Sequence, residues 1–434
     1  MISEANLGSN YCGIRLEQNA ENGLYKVRFP EKMDGQGYGK VNPTSTLPWD
    51  MPWRTVISGK SLSTIFESQL INNVSNEPVS RDFSWVKPGR ASWSWISNPA
   101  SCRDFNALKD FVDLSAEMKW EYSLVDANRN EMQGGNIEQL VKYANTKGVG
   151  IIMWYNSGGP NNIVTEGPRD IMSDTIKRKA EFKKLQQWGV KGVKVDFWQS
   201  DKQITIQQYH DLMEDAAECH ILVGLHGCTI PRGWSKTYPN MNSMESIKGE
   251  ECYRFDTTYT DNAPIQNTII PFTRNVIGPM DYTPFGISNL KFPYKTTFAH
   301  ELAITIVFNN GIIHFTESAE GIRKLPEFVK SFLVEVPATF DESHLVSGYP
   351  GKDIIIASRK GNTWYIAGIN GENETKKMDV KLPFLKKGKY QINFITDGAD
   401  GKSFQNKKSI MKSMENLSVT FLPNGGFVAI LKTL

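Results

Sequence analysis

The chain has 434 residues, of which 40% are hydrophobic and 22% charged, and its formal net charge is +2. That length calls for two or three domains, and the composition is that of an ordinary globular protein. So small a charge gives no basis for nucleic acid or an anionic membrane as partner, and no run approaches the roughly 20 apolar residues that span a bilayer. The five cysteines (Cys12, Cys102, Cys219, Cys228, Cys252) are odd in number and lack finger or redox spacing, so no disulfide framework is expected. Residues 1–6 carry neither a basic n-region nor an apolar h-region, so no signal peptide is expected in the chain as given.

Residues 1–84 mix Gly, Asn and Pro with short β-prone pieces at 24–29 and 53–57 and a helical stretch at 61–70. They read as an accessory segment without a full core of its own. From residue 91 the pattern alternates. Strand-like runs at 91–96, 121–127, 149–156, 190–198, 221–227, 241–246, 276–282 and 312–316 are interleaved with helices at 104–119, 136–147, 174–188, 204–219, 296–308 and 325–334. In the third helix Ile176, Ala180, Leu185 and Trp188 fall on one face, with Lys177, Arg178, Lys183 and Lys184 opposite. Eight strand units in about 245 residues fit a (β/α)8 TIM barrel over 85–337. A doubly wound sheet would need a Gly-rich phosphate turn, and none follows an early strand. Beyond residue 337 helices stop. Strands at 353–357, 363–369, 376–382, 390–396, 417–422 and 426–431 predict a C-terminal antiparallel β-sandwich over 338–434.

Barrel enzymes carry their chemistry at the C-terminal ends of the strands. The fourth strand ends Gly192-Val193-Lys194-Val195-Asp196, with Lys194 on the same face as Asp196. An ammonium there would hold a partly buried carboxylate ionised; a rim Asp capping the next helix is the alternative. Glu245, Glu250 and Glu251 crowd seven residues after the sixth strand, which suits a hard cation, a catalytic proton or a solvated loop. His226 ends the fifth strand. Asp126 ends the second, where it binds a sugar hydroxyl or caps a helix. Trp93, Trp95, Trp154 and Trp198 lie in strand-end regions, where they stack on a sugar ring or pack in the core.

Taken together, Trp85-Val86-Lys87-Pro88-Gly89, the 192–197 strand, the Glu245 to Glu251 segment, and Pro271-Phe272-Thr273-Arg274 leading to Gly278-Pro279-Met280-Asp281-Tyr282-Thr283-Pro284 resemble glycoside hydrolase family 97 from about residue 53 onward. That family comprises α-glucosidases and α-galactosidases, mostly from gut Bacteroidetes. Its inverting members carry base glutamates after the third and fifth strands. Here those places read Tyr155-Asn156-Ser157-Gly158 and His226-Gly227, while an Asp closes the fourth strand. The resemblance therefore implies the retaining, α-galactosidase-like branch, with Asp196 as nucleophile and Glu251 as acid/base. It also implies calcium held by Glu245 and Glu251, and an innermost subsite lined by Lys194, His226, Asp126, Trp95 and Trp198. The retaining pair should stand roughly 5–5.5 Å apart. Residues 1–84 would be a remnant lacking most of the family's N-terminal β-sandwich. The expected partner is a glycoside or oligosaccharide, the expected state a monomer, and the family's usual compartment the periplasm. An α-glucosidase with the same machinery and a non-catalytic carbohydrate-binding remnant are the rival readings.

Overall fold

A computed structural model describes residues 1–78, 82–288 and 290–434. The part of the accessory segment at 79–81 lies outside the described residues. Seven parallel strands form the barrel wall: Gly89–Trp93, Tyr122–Val125, Gly150–Asn156, Gly192–Asp196, Leu222–Leu225, Met241–Met244 and Ile312–Phe315. The strand at Ile312–Phe315 pairs with the first, and the others pair in chain order. All seven residues of Gly150–Asn156 are buried, as expected of a strand covered on both faces.

The expected strand at 276–282 does not form. A short 3-10 turn, Arg274–Ile277, occupies its start. The chain then makes one parallel bridge, Met244 to Met280, and the Met280 N–H donates to Asn309 O at 2.9 Å. The Arg274 guanidinium donates to Met244 O, Gly278 O and Pro279 O, filling bonds that a full strand would make with its neighbours. The barrel is thus a (β/α)8 fold whose seventh position is reduced to a bridge.

Helices begin at clear caps. Asp104 accepts from the Asn106 and Ala107 amides, Asp174 from Ile176 and Lys177, and Asn136 forms a capping box with Gln139. Helix Thr175–Trp188 is rotated from the sequence expectation. Its buried side chains are Arg178, Phe182 and Leu185, while Ile176 is 82% exposed. Arg178 faces inward because Asp215 of the next helix, Gln203–Glu218, meets its guanidinium at 2.7 Å. A further helix, Thr257–Ile269, carries Pro264 in its interior and lies where no helix is expected from the sequence.

The C-terminal part is a six-stranded antiparallel sheet in the order Glu342–Tyr349, Asp353–Lys360, Thr363–Asn370, Gly426–Thr433, Lys389–Asp397, Phe404–Lys412, with a two-stranded ribbon of Lys376–Val380 and Leu417–Phe421. Both faces of its centre are covered. Ile354, Ile356, Tyr365 and Val428 join the apolar cluster that includes Leu302 and Ile306 of helix Phe298–Val307 and Val329 and Phe332 of helix Glu327–Glu335. Ile355, Ala357, Trp364 and Phe427 pack under the ribbon against Val419 and Phe421. Period-two alternation therefore sorts one strand's residues between two cores. That contact seats the sheet against helices outside the barrel wall.

The N-terminal segment pairs Ile2–Ala5 with Trp53–Val56 and Arg15–Leu16 with Val27–Arg28. Among its described residues, α-helix forms at Ser63–Phe66 and Leu70–Asn73 and a 3-10 turn at Asp34–Gly37. Two buried ties stitch this segment to the barrel, Arg232 to Glu4 at 2.8 Å and the Trp234 indole to Leu7 O at 2.8 Å, and the exposed Arg15 side chain reaches Asp201 at 2.9 Å. Among the described residues no helix is long and apolar enough to cross a membrane.

Candidate active site

Asp126, Asp196, His226 and Glu245 each stand at or one residue beyond the C-terminal end of their barrel strand, so one rim gathers them. Asp196 Oδ1 accepts the Phe197 amide at 2.7 Å and Oδ2 accepts the Trp154 indole N–H at 3.2 Å. Burial raises the Asp196 pKa, and the nearby charge of Glu251 adds to this, while Lys194, His226 and the Trp154 bond pull the other way. Lys194 thus acts in the expected direction, but burial outweighs it.

The Lys194 ammonium is engaged by Asp126. It donates to Oδ2 at 3.0 Å and lies 4.3 Å above the Trp93 ring, whose indole N–H reaches the same oxygen at 2.8 Å. Burial alone would lower the Lys194 pKa. The carboxylates of Asp126, Asp196, Glu251 and Asp281 override it and keep the amine protonated.

His226 is wedged between two acids. Its Nε2 bonds Asp281 Oδ2 at 2.6 Å, and its Nδ1 faces Glu245 Oε2 at 3.7 Å. Burial and Lys194 lower its pKa, yet Glu245 and Asp281 prevail and lift it to about 9. Asp281 also accepts from His314 Nδ1 at 2.7 Å and, despite its burial, is held well below the usual carboxylate range by the two imidazoles. Glu245 Oε2 accepts the Gly227 amide at 2.7 Å. Burial pushes the Glu245 carboxyl well up, and Glu251 and Asp196 push it further. Ligand atoms of His226, Glu245 and Glu251 all lie within 4.8 Å of one another, and His226 Nδ1 has no hydrogen-bond partner among the described residues. Two clustered carboxylates with water completing the shell suit a hard divalent cation; the ring nitrogen suits one less well.

Of the expected sugar-facing tryptophans, Trp95 is half-buried at the rim and stacks at 6.0 Å on Trp93. Trp198 is not at the site. It is 2% exposed, stacks at 3.9 Å on Tyr209 and donates its indole N–H back to Val195 O, so its face is used in the core behind the fourth strand. Sequence reading assigned no role to Asp281 or His314, and it took Trp93 and Trp154 as stacking or core rings, where the structure makes them indole donors to Asp126 and Asp196. The signal for His314 was a histidine inside the apolar run Ile312-Ile313-His314-Phe315. A cavity of about 610 Å³ opens beside Glu245 and Gly227, with Ile2, Leu16 and Val27 of the N-terminal segment as its far wall and Ile247 on the barrel side.

Three family models match this chain: Glycosyl-hydrolase 97 N-terminal at residues 1–78, Glycoside hydrolase 97 at 85–247, and Glycosyl-hydrolase 97 C-terminal, oligomerisation, at 339–432. A solved beta-arabinopyranosidase is 32% identical, superposes with a TM-score of 0.93, and has 69% of its length covered by 99% of this chain. The chain belongs to glycoside hydrolase family 97. Among named relatives of this family 97 chain, a "Probable retaining alpha-galactosidase" of Streptomyces bingchenggensis is 31% identical over 99% of this chain and 64% of its own length. The "Retaining alpha-galactosidase" of Bacteroides thetaiotaomicron is 27% identical over 89% of this chain and 60% of its own length. The chain therefore spans under two thirds of these two relatives. A family 97 enzyme of Pseudoalteromonas sp. strain K8, 21% identical with a TM-score of 0.86 over all of this chain and 72% of that one, shares the fold. The expectation that residues 1–84 lack most of the N-terminal domain is not borne out, since the family's N-terminal model itself matches 1–78. The name of the C-terminal model leaves the expected monomer without support.

Proposed function

We propose that this family 97 chain is a retaining glycosidase that removes terminal α-linked galactose by double displacement. Asp196 would attack the anomeric carbon while Glu251 protonates the departing oxygen; Glu251 would then take a proton from the water that releases the sugar. The observation that carries the reading is the convergence of Asp196, from the fourth strand, and Glu251, from beyond the sixth, in one electrostatic neighbourhood with Lys194 and His226. The Phe197 and Trp154 donors favour the ionised, oriented carboxylate that a nucleophile needs. Lys194, Asp126 and His226 offer donors and acceptors to ring hydroxyls, and Trp95 an aromatic edge at the rim. Glu245 and Glu251 would hold calcium, which when bound would neutralise the crowded acids and orient hydroxyls.

The likeness to a beta-arabinopyranosidase favours a second substrate. A β-L-arabinopyranoside has the ring stereochemistry of an α-D-galactoside without the C6 hydroxymethyl group, so one set of ring contacts serves both. Turnover of the two nitrophenyl glycosides side by side ranks them. For the mechanism, Asp196→Ala should abolish release of aryl galactose, and a fluorosugar should label the Asp196 peptide of the native protein. Wild-type turnover in Asp196→Ala would remove the nucleophile assignment.

A further inference from the structure

Glu250 and Glu251 are neighbours in one 3-10 turn, Glu250–Arg254, and they serve different surroundings. Glu251 is half-buried in the acid cluster. Glu250 has no exposed surface. Its Oε1 accepts the Phe285 amide at 2.7 Å, and its Oε2 accepts the Gly286 amide at 2.7 Å, the Thr316 hydroxyl at 3.1 Å and the Tyr294 hydroxyl at 3.4 Å. Its own N–H donates to Tyr282 O at 3.1 Å.

The loop it grips is held further along by a second buried acid. Glu317 Oε2 accepts the next two amides, Ile287 at 2.9 Å and Ser288 at 2.8 Å. Four successive backbone N–H groups thus end on two carboxylates. The packing leaves no room for slack: a Cβ at Gly286 would lie 2.1 Å from the Tyr294 hydroxyl, and one at Gly249 would lie 2.5 Å from Tyr282 O. A buried acid is tolerated only where donors of this kind replace water; burial and the neighbouring Glu301 push the Glu250 carboxyl well up, and the Phe285 and Gly286 amides pull the other way. Here they join the sixth-strand turn to the loop beyond the seventh position and to the end of the last barrel strand.

We propose that Glu250 is a positioning residue for Glu251. It anchors, at its backbone nitrogen and both carboxylate oxygens, the turn from which the acid/base carboxyl extends. The assignment rests on the reading of Glu251 as acid/base. A proton donor acts only when aligned with the departing oxygen, so loosening the turn should cost protonation and spare nucleophilic attack.

Leaving-group dependence separates the two. Glu250→Gln keeps the size but gives up one acceptor. It should lower kcat/KM for methyl α-galactoside, a poor leaving group, by about tenfold or more. The dinitrophenyl glycoside, which departs without a proton, should change less than about twofold. Thr316→Val, which removes one bond to Glu250 Oε2, should shift the same dependence in the same direction by less and guards against misfolding of the first variant. Glu251→Gln is measured alongside. A uniform loss across leaving groups in both test variants, or a wild-type dependence in both, overturns the assignment while Glu251→Gln still shows its own. Absence of any leaving-group dependence in Glu251→Gln overturns the acid/base reading itself, and the Glu250 assignment with it.

Discussion

A side chain at position 227 and the observed carboxylate of Asp196 exclude each other. A Cβ on Gly227 would lie 2.9 Å from Asp196 Oδ1 and 2.9 Å from the Phe197 nitrogen, and Gly227 has φ +49°. Under the retaining reading, a nucleophile at the fourth strand and a glutamate after His226 compete for one volume, so the two mechanisms become a steric alternative. Gly227→Ala should therefore move Asp196 by a fraction of an ångström to an ångström, and kcat should fall about 100-fold. The left-handed backbone adds only a cost of about 1 kcal/mol, so the melting temperature should drop by a few degrees. Unchanged kcat with a lowered melting temperature would disprove the coupling.

Asp281 is bonded to both His226 and His314, and its charge is one of two that keep His226 protonated. In Asp281→Asn that charge is gone, so the His226 pKa should move down from about 9. Nitrogen NMR of the His226 ring would follow it, and kcat/KM should fall about tenfold or more as the ring loses its fixed orientation. A His226 titration that stays in place would show that Glu245 alone sets its charge.

Glu245 and Glu251 supply the two clustered carboxylates, so chelation should reduce turnover and added calcium should restore it. Glu245→Gln should weaken calcium binding by about tenfold or more in a calorimetric titration. Full activity after exhaustive chelation would eliminate a resident cation from the scheme.

His300 links the barrel helix Phe298–Val307 to the C-terminal sheet domain. Nδ1 bonds Asn424 O at 3.1 Å, and Nε2 meets the Asn267 amide at 3.0 Å. A carbonyl on one nitrogen and an amide donor on the other fit the neutral ring, and burial depresses the pKa to about 3. The folded pKa lies below the ordinary value of 6.5, so between those values the unfolded chain binds the extra proton. This contribution to stability is complete above pH about 6.5 and is lost as pH falls toward 3, by up to about tenfold in the folding equilibrium per pH unit. His300→Gln should flatten that part of the stability profile; an unchanged acid limb in urea titrations would count against it.

The sequence announced the barrel through continuous apolar strands and capped helices, and it announced Asp196, His226 and Glu245 through their places at strand ends. What it concealed has physical reasons. The two unforeseen strands of the C-terminal sheet, Glu342–Tyr349 and Phe404–Lys412, are its two edges, where one side lacks a neighbour and burial no longer writes an alternating pattern. Helix Thr257–Ile269 was masked by Pro264, which usually ends a helix. Trp198 looked like a rim residue because sequence position cannot say which way a ring turns; Tyr209 decides it. Glu250 and Glu251 are chemically identical and adjacent, and what distinguishes them is tertiary: the amides of Phe285 and Gly286 and the hydroxyls of Thr316 and Tyr294 close around Glu250.

The lone bridge between Met244 and Met280 leaves the barrel with a seam. Elsewhere neighbouring strands share several ladder bonds, but between the sixth strand and the last the wall is held by one bridge, the Arg274 fan and a few amides. Warming should part the wall there first, in a local opening well short of global unfolding. Asp281 and the turn bearing Glu251 ride on its two lips. Heat should therefore abolish the proposed turnover before the fold melts, and the amides of Met280 and Asp281 should exchange with deuterium ahead of those of the neighbouring strands.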